Sequence, residues 1–176
     1  MLSKNRRPAF SLVELVIVIV IIGVIAAIAV PRISRGARGA SDSSVRGSLA
    51  ALRNAIDLYA AEHGGLFPAQ AGDGTNAVGS ELAFLNQLTK FTDAAGAFSA
   101  TKTATAIYGP YLRAGMPTIP VGPNKGGANA AKVKMGNTGP VVSEGTGEGW
   151  VYNYLTGDII ANTDDVDEAN VAYNTY

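Results

Sequence analysis

The sequence has no cysteine and a single histidine, His63, in 176 residues. Without thiols there is no disulfide, no thiolate metal site and no cysteine nucleophile. One histidine excludes a multi-histidine zinc site within one chain. Neither sign of charge is in excess, because 14 Lys and Arg balance 14 Asp and Glu. The basic surplus of a general nucleic-acid binder is therefore missing. Charged residues reach only 16% and apolar residues 47%, a composition unlike that of a disordered chain. Templates for catalysis are also lacking. No G-x-S-x-G surrounds a serine. Gly122 and Gly127 have the outer spacing of a phosphate loop, but Ala128 and Asn129 stand where Lys and Ser/Thr are needed. Gly145, Gly147 and Gly149 fail the dinucleotide pattern, since Trp150 takes its last position.

What the chain does have is one long apolar run. Phe10 to Val30 spans 21 residues with one charge, Glu14, and 15 of them are Leu, Ile, Val or Phe. As a helix it would be roughly 31 Å long, close to the ~30 Å hydrocarbon core of a bilayer. The 15 large apolar residues favour insertion by roughly 5–9 kcal/mol, against about 3 kcal/mol at most for Glu14 near one end. Lys4, Arg6 and Arg7 before the run favour a cytoplasmic N-terminus, while Arg32, Arg35 and Arg38 after it pull the other way. Two other readings stay open on the residues alone: a buried soluble helix, and a secretory signal cut near Ala26, Ala27 and Ala29.

The junction Arg6-Arg7-Pro8-Ala9-Phe10-Ser11-Leu12-Val13-Glu14-Leu15 resembles the leader of type IV prepilins and pseudopilins. That resemblance implies cleavage between Ala9 and Phe10 by a prepilin peptidase and N-methylation of Phe10, with Ala9 standing where the family usually has Gly. Glu14 becomes the fifth residue of the mature chain, and Gly23 and Pro31 fall where the family often has Gly and Pro. A carboxylate facing lipid is costly unless paired. A new α-amine on Phe10 of one subunit could meet Glu14 of a staggered neighbour and set the register of the bundle; the other reading places Glu14 near the membrane interface, facing water.

Beyond the run, Val45, Leu49, Leu52, Ile56 and Tyr59 recur at helical spacing. Gly64-Gly65 supplies a C-cap. The helix is therefore expected over about Ser11 to His63, with Pro31, Gly36, Gly39 and Gly47 as weak points. Its seam is expected to lie on a small C-terminal sheet rather than in a coiled coil, and His63 is expected to face solvent. Residues 64–176 carry six Lys and Arg against ten Asp and Glu. Within them, Leu82, Leu85, Leu88 and Phe91 suggest a short apolar-faced helix over Glu81–Phe91. Tyr108 to Pro123 reads as a proline-stiffened loop, and Gly122 to Gly149 as a glycine-dense excursion. Trp150–Tyr154, the turn Thr156-Gly157-Asp158 and Ile159–Ala161 read as a β-hairpin.

This hairpin and the Leu66-Phe67-Pro68 element are similar to the major pseudopilins of type II secretion systems. The expected fold is α+β, with a long N-terminal helix on a small antiparallel sheet. It divides into a leader (1–9), a membrane and assembly helix (10–30), its amphipathic continuation (31–63) and a head (64–176). The resemblance implies a non-enzymatic subunit, single-pass in the inner membrane with a periplasmic head, polymerising with itself into a short helical filament that supports protein export. Implied partners are the prepilin peptidase, the inner-membrane assembly platform with its ATPase, minor pseudopilins and membrane lipid, with no nucleic acid. It also raises Ca²⁺ binding in the C-terminal region, with Asp158, Asp164, Asp165 and Asp167 as candidate ligands. The alternatives are a type IV pilin for adhesion, motility or DNA uptake, and a membrane-anchored binding module that never polymerises.

Overall fold

A computed structural model describes residues 11–142 and 147–176. The helix α1 runs from Leu12 to Glu62, through Gly23 and Pro31. The chain divides into two units, Met1–Arg38 and Gly39–Tyr176. In the first, Leu12–Val30 is long and apolar enough to cross a membrane, and none of it is buried by the protein.

The second unit is organised on the C-terminal part of α1. Val45, Leu49, Leu52, Ile56 and Tyr59 are all at most 2% exposed. They form one stripe because their spacings of three and four residues return to the same helix face. Onto this stripe pack α2 (Glu81–Thr89) and a three-stranded sheet of β3 (Val133–Gly136), β4 (Trp150–Asn153) and β5 (Ile159–Ala161). The strand order is β3-β4-β5. β4 and β5 form the expected antiparallel hairpin, with Val151 opposite Ile160. β3 joins β4 in parallel, with Lys134 opposite Val151. The sheet is thus mixed rather than purely antiparallel, because a strand arises within the glycine-dense excursion and enters from the far side of β4. A separate antiparallel pair joins β1 (Phe91–Thr92) and β2 (Phe98–Ser99).

As the central strand, β4 is buried at all four positions. The Trp150 indole N–H donates to the Pro117 carbonyl at 2.8 Å, which ties down the proline-rich loop. The Tyr152 hydroxyl donates to the Pro68 carbonyl at 3.1 Å, and its ring lies 4.4 Å from that of Phe84. Gly149 precedes β4 where a Cβ would sit 2.2 Å from the Ala130 carbonyl oxygen, so no side chain fits there. In the hairpin turn, Gly157 has φ +77°, the left-handed region where glycine is cheapest. Its missing side chain leaves room for the Phe67 ring.

Two sequence expectations are corrected. The buried face of α2 is Ala83, Phe84, Gln87 and Leu88, whereas Leu82 is 58% exposed. Its rotation is set by the fully buried Gln87. Gln87 accepts from the Ala69 N–H at 2.6 Å and donates to the carbonyls of Ala71 and Gly96. His63 does not face solvent and is 4% exposed. Its ring stacks on Tyr59, centroids 3.9 Å apart, and its nitrogens lie against the carbonyls of Tyr59 and Asp93 and the Thr92 hydroxyl. Those polar contacts are what make the burial affordable.

The stripe generates a paired expectation. Leu52→Ala should cost about 2–5 kcal/mol, the range for truncating a buried leucine. Leu58→Ala, on the exposed face, should cost less than about 0.5 kcal/mol. Urea unfolding of the detergent-solubilised full chain, followed by Trp150 fluorescence, measures both.

Candidate functional site

The N-terminal segment is built around a conflict between side-chain chemistry and exposure. Val13, Ile17, Ile21, Val24 and Ile28 are between 52% and 62% exposed. This is the pattern of a helix whose surroundings are apolar, not water. Glu14 lies exposed in the first turn of α1, where the helix dipole favours a negative charge. Its Oε2 accepts from the Ser11 backbone N–H at 3.2 Å, filling one of the helix's orphan donors. At Gly23 an added Cβ would meet nothing within 4 Å, so the chain itself does not require glycine there. Pro31 lies within the helical backbone. Ala9 and Phe10, where cleavage and methylation are expected, lie outside the described residues.

The four candidate calcium ligands do not share one environment. Asp158 sits in the β4–β5 turn and accepts from the Thr156 hydroxyl at 2.6 Å. Asp164 and Asp165 are exposed after β5. Asp167 is committed elsewhere. Its Oδ2 accepts from the Tyr176 hydroxyl at 2.5 Å and from Arg46 Nη2 at 3.1 Å. Its Oδ1 accepts from the backbone N–H groups of Ala169 and Val171. Among the described residues, no three acidic or histidine side chains group as metal donors.

Asp167 instead centres a polar network that fastens the C-terminal segment to α1, and sequence reading missed this role. The Arg46 guanidinium lies 3.9 Å over the Tyr176 ring. The Tyr173 hydroxyl donates to Asp42, and Arg53 donates to the carbonyls of Ile159 and Tyr176. The α1 residues and their partners in the C-terminal segment are more than a hundred positions apart, so nothing in their spacing announces them. A second missed carboxylate had a signal in the Asp-Gly dipeptide of a turn. Asp73 accepts from the Thr75 and Asn76 N–H groups and the Asn76 and Asn86 amides. Burial pushes its pKa up, but these donors outweigh it and hold it below the usual carboxylate range.

A cavity of about 330 Å³ opens beside the β4–β5 turn, with Arg53, Asp57, Phe67, Pro140, Asp158 and Ile160 among its walls.

With this geometry in place, the comparison with known families bears on the N-terminal segment. Residues 4–30 match the prokaryotic N-terminal methylation motif. This motif is the prepilin-type leader of type IV pilin-like proteins, which are structural subunits, and it supports that class for this chain. No curated protein and no solved structure matches the chain. The motif covers both sides of the Ala9–Phe10 junction and extends to the end of the apolar span. Membrane anchoring through one N-terminal helix is consistent with it.

The Asp167 network carries a pH dependence of defined sign. The Tyr176 hydroxyl, then the Val171 N–H, the Ala169 N–H and Arg46 hold Asp167 below the usual carboxylate range, against the opposing effect of burial. Its stabilising contribution is therefore complete above the unfolded-state pKa of about 3.9 and is lost as pH falls through the depressed folded value. Asp167→Asn should lower the urea midpoint at pH 6. The gap between variant and wild type should close as pH drops from 5 toward 2.

Proposed function

We propose that the chain is a prepilin-processed structural subunit of a type II secretion pseudopilus. It is cut between Ala9 and Phe10, methylated on Phe10 and polymerised through its apolar helix. The observation that carries this is the methylation motif running directly into a helix whose apolar surface the protein leaves wholly uncovered. A bilayer covers that surface in the precursor, and the helices of neighbouring subunits cover it in a filament. Polymerisation then needs register. Cleavage creates an amine on Phe10, and a staggered neighbour's Glu14 neutralises it in low dielectric, where a misaligned carboxylate would remain alone. The head stays in the periplasm, and energy comes from a cytoplasmic ATPase acting through a membrane platform. A type IV pilus built by the same chemistry is the second reading, and the absence of cysteine favours the first, since many pilins close a C-terminal loop with a disulfide.

Calcium is the lesser part of this reading, because Asp167 has already spent its oxygens on Arg46, Tyr176 and backbone donors. The resemblance alone supports it. If the ion binds, millimolar Ca²⁺ raises Tm, and Asp164→Ala or Asp165→Ala abolishes the rise; an unchanged Tm removes calcium from the account.

Mass spectrometry of the mature protein should find N-methyl-Phe10 at the N-terminus. An intact Met1, or a cut near Ala29, would overturn the proposal. Glu14→Ala should leave cleavage and membrane insertion intact but reduce the sheared filament fraction at least tenfold. Loss of export separates the pseudopilus from a pilus, whose loss shows in adhesion, motility or DNA uptake.

A further inference from the structure

Charge is divided along the head in a way that the balanced total conceals. Residues 94–143 contain Lys102, Arg113, Lys125, Lys132 and Lys134 and no carboxylate, whereas residues 144–176 contain seven carboxylates and no Lys or Arg. The sheet converts this linear division into a spatial one. β3 comes from the basic stretch and is an edge strand, with Lys132 and Lys134 flanking its buried Val133. β5 comes from the acidic stretch and forms the opposite edge, with Asp158 just before it and the exposed Asp165 and Glu168 beyond it. The strand β4 separates the two, so the edges lie about 10 Å apart at the usual strand spacing. Among the described residues, the salt bridge Arg46–Asp167 involves none of Lys132, Lys134 and Asp158. Asp158 also stands on the cavity whose other walls include Arg53, Asp57, Phe67, Pro140 and Ile160. Arg53 donates to the carbonyls of Ile159 and Tyr176, and the two carboxylates beside apolar walls suit a lysine, which buries its stem and keeps its ammonium near the charge.

We infer that the β3 edge of one subunit docks on the β5 edge and hairpin-turn cavity of the next, with Lys134 directed at Asp158. The occupant is a second copy of this chain, because one head carries both halves of the complementary pair. Such a contact is heterologous. Each docking leaves a basic edge free on one side and an acidic edge free on the other, which propagates a filament rather than closing a two-fold dimer. The inference rests on the polymerising subunit proposed above and adds the contact between heads that the apolar helix alone does not specify. Its charges lie at a solvent-facing interface, so it weakens as salt shortens the screening length from about 10 Å at 0.1 M to about 3 Å at 1 M.

The absence of native cysteine makes the test clean. Lys134→Cys and Asp158→Cys are introduced together in the full-length chain, and membrane-assembled filaments are mildly oxidised. The two positions are too far apart within one chain to bridge, since a disulfide needs Cα atoms within about 7 Å. A ladder extending beyond the dimer is expected from the double variant, and none from either single variant. A dimer from a single variant would mean a two-fold contact and overturn the inference. So would intact filaments without a ladder. Should the wild type form no filaments, the polymer reading itself falls and the inference with it. Independently, Lys134→Asp and Asp158→Lys should each lower filament yield several-fold, and combining them in one chain should restore it. Unrestored yield with unchanged thermal melting would count against the pairing.

Discussion

The stripe of Val45, Leu49, Leu52, Ile56 and Tyr59 on α1 is the surface against which the rest of residues 39–176 is assembled. α2 reaches it through Phe84 and Leu88, and the sheet through Trp150, Tyr152 and Ile159, all within one buried cluster. A three-stranded sheet of three- and four-residue strands has too little apolar area to hold itself together in water. Remove the helix face and the buried cluster that joins α2 and the sheet loses Val45, Leu49, Leu52, Ile56 and Tyr59. The polar contacts of Asp42, Arg46 and Arg53 then extend the same attachment to the C-terminal segment, which returns to the helix after the sheet is complete.

The N-terminal part of the same helix obeys a different physical rule. It is apolar all round and buried by nothing in the chain. Its stability in any compartment therefore depends on what surrounds it, first lipid and, on the reading proposed here, later other copies. Glu14 is the exception within that surface and so the residue most sensitive to the environment. Near water it caps the helix through Ser11, but in an apolar bundle it demands a cation.

Features set by short-range periodicity were legible from the residues. The apolar span, the seam at spacings of three and four, and the β4–β5 hairpin around Thr156-Gly157-Asp158 all declare themselves within a dozen or two positions. Elsewhere two local readings compete. In α2, Leu82 and Phe84 both suit a helical apolar face, and the choice of Phe84 comes from Gln87, whose partners at Ala69, Ala71 and Gly96 lie on other loops. His63 near a helix end looked like a solvent-facing residue, but neighbouring loops bring Thr92 and Asp93 to its ring. Asp167 looked like one of a run of carboxylates, and folding gave it Arg46 and Tyr176.

By itself, then, the sequence determined the division of the chain into an apolar N-terminal span and a polar head, the N-terminal methylation motif, and the helix face on which the head packs. These follow from composition and from contacts within one turn of helix or one hairpin. Tertiary structure alone decided that β3 joins β4 in parallel, that Asp167 serves a structural network, and that basic and acidic stretches occupy opposite sheet edges. The physical reason is the same for all three. Each depends on residues brought together across separations that no local spacing encodes, where packing against the α1 stripe selects one arrangement among many with equal local preference.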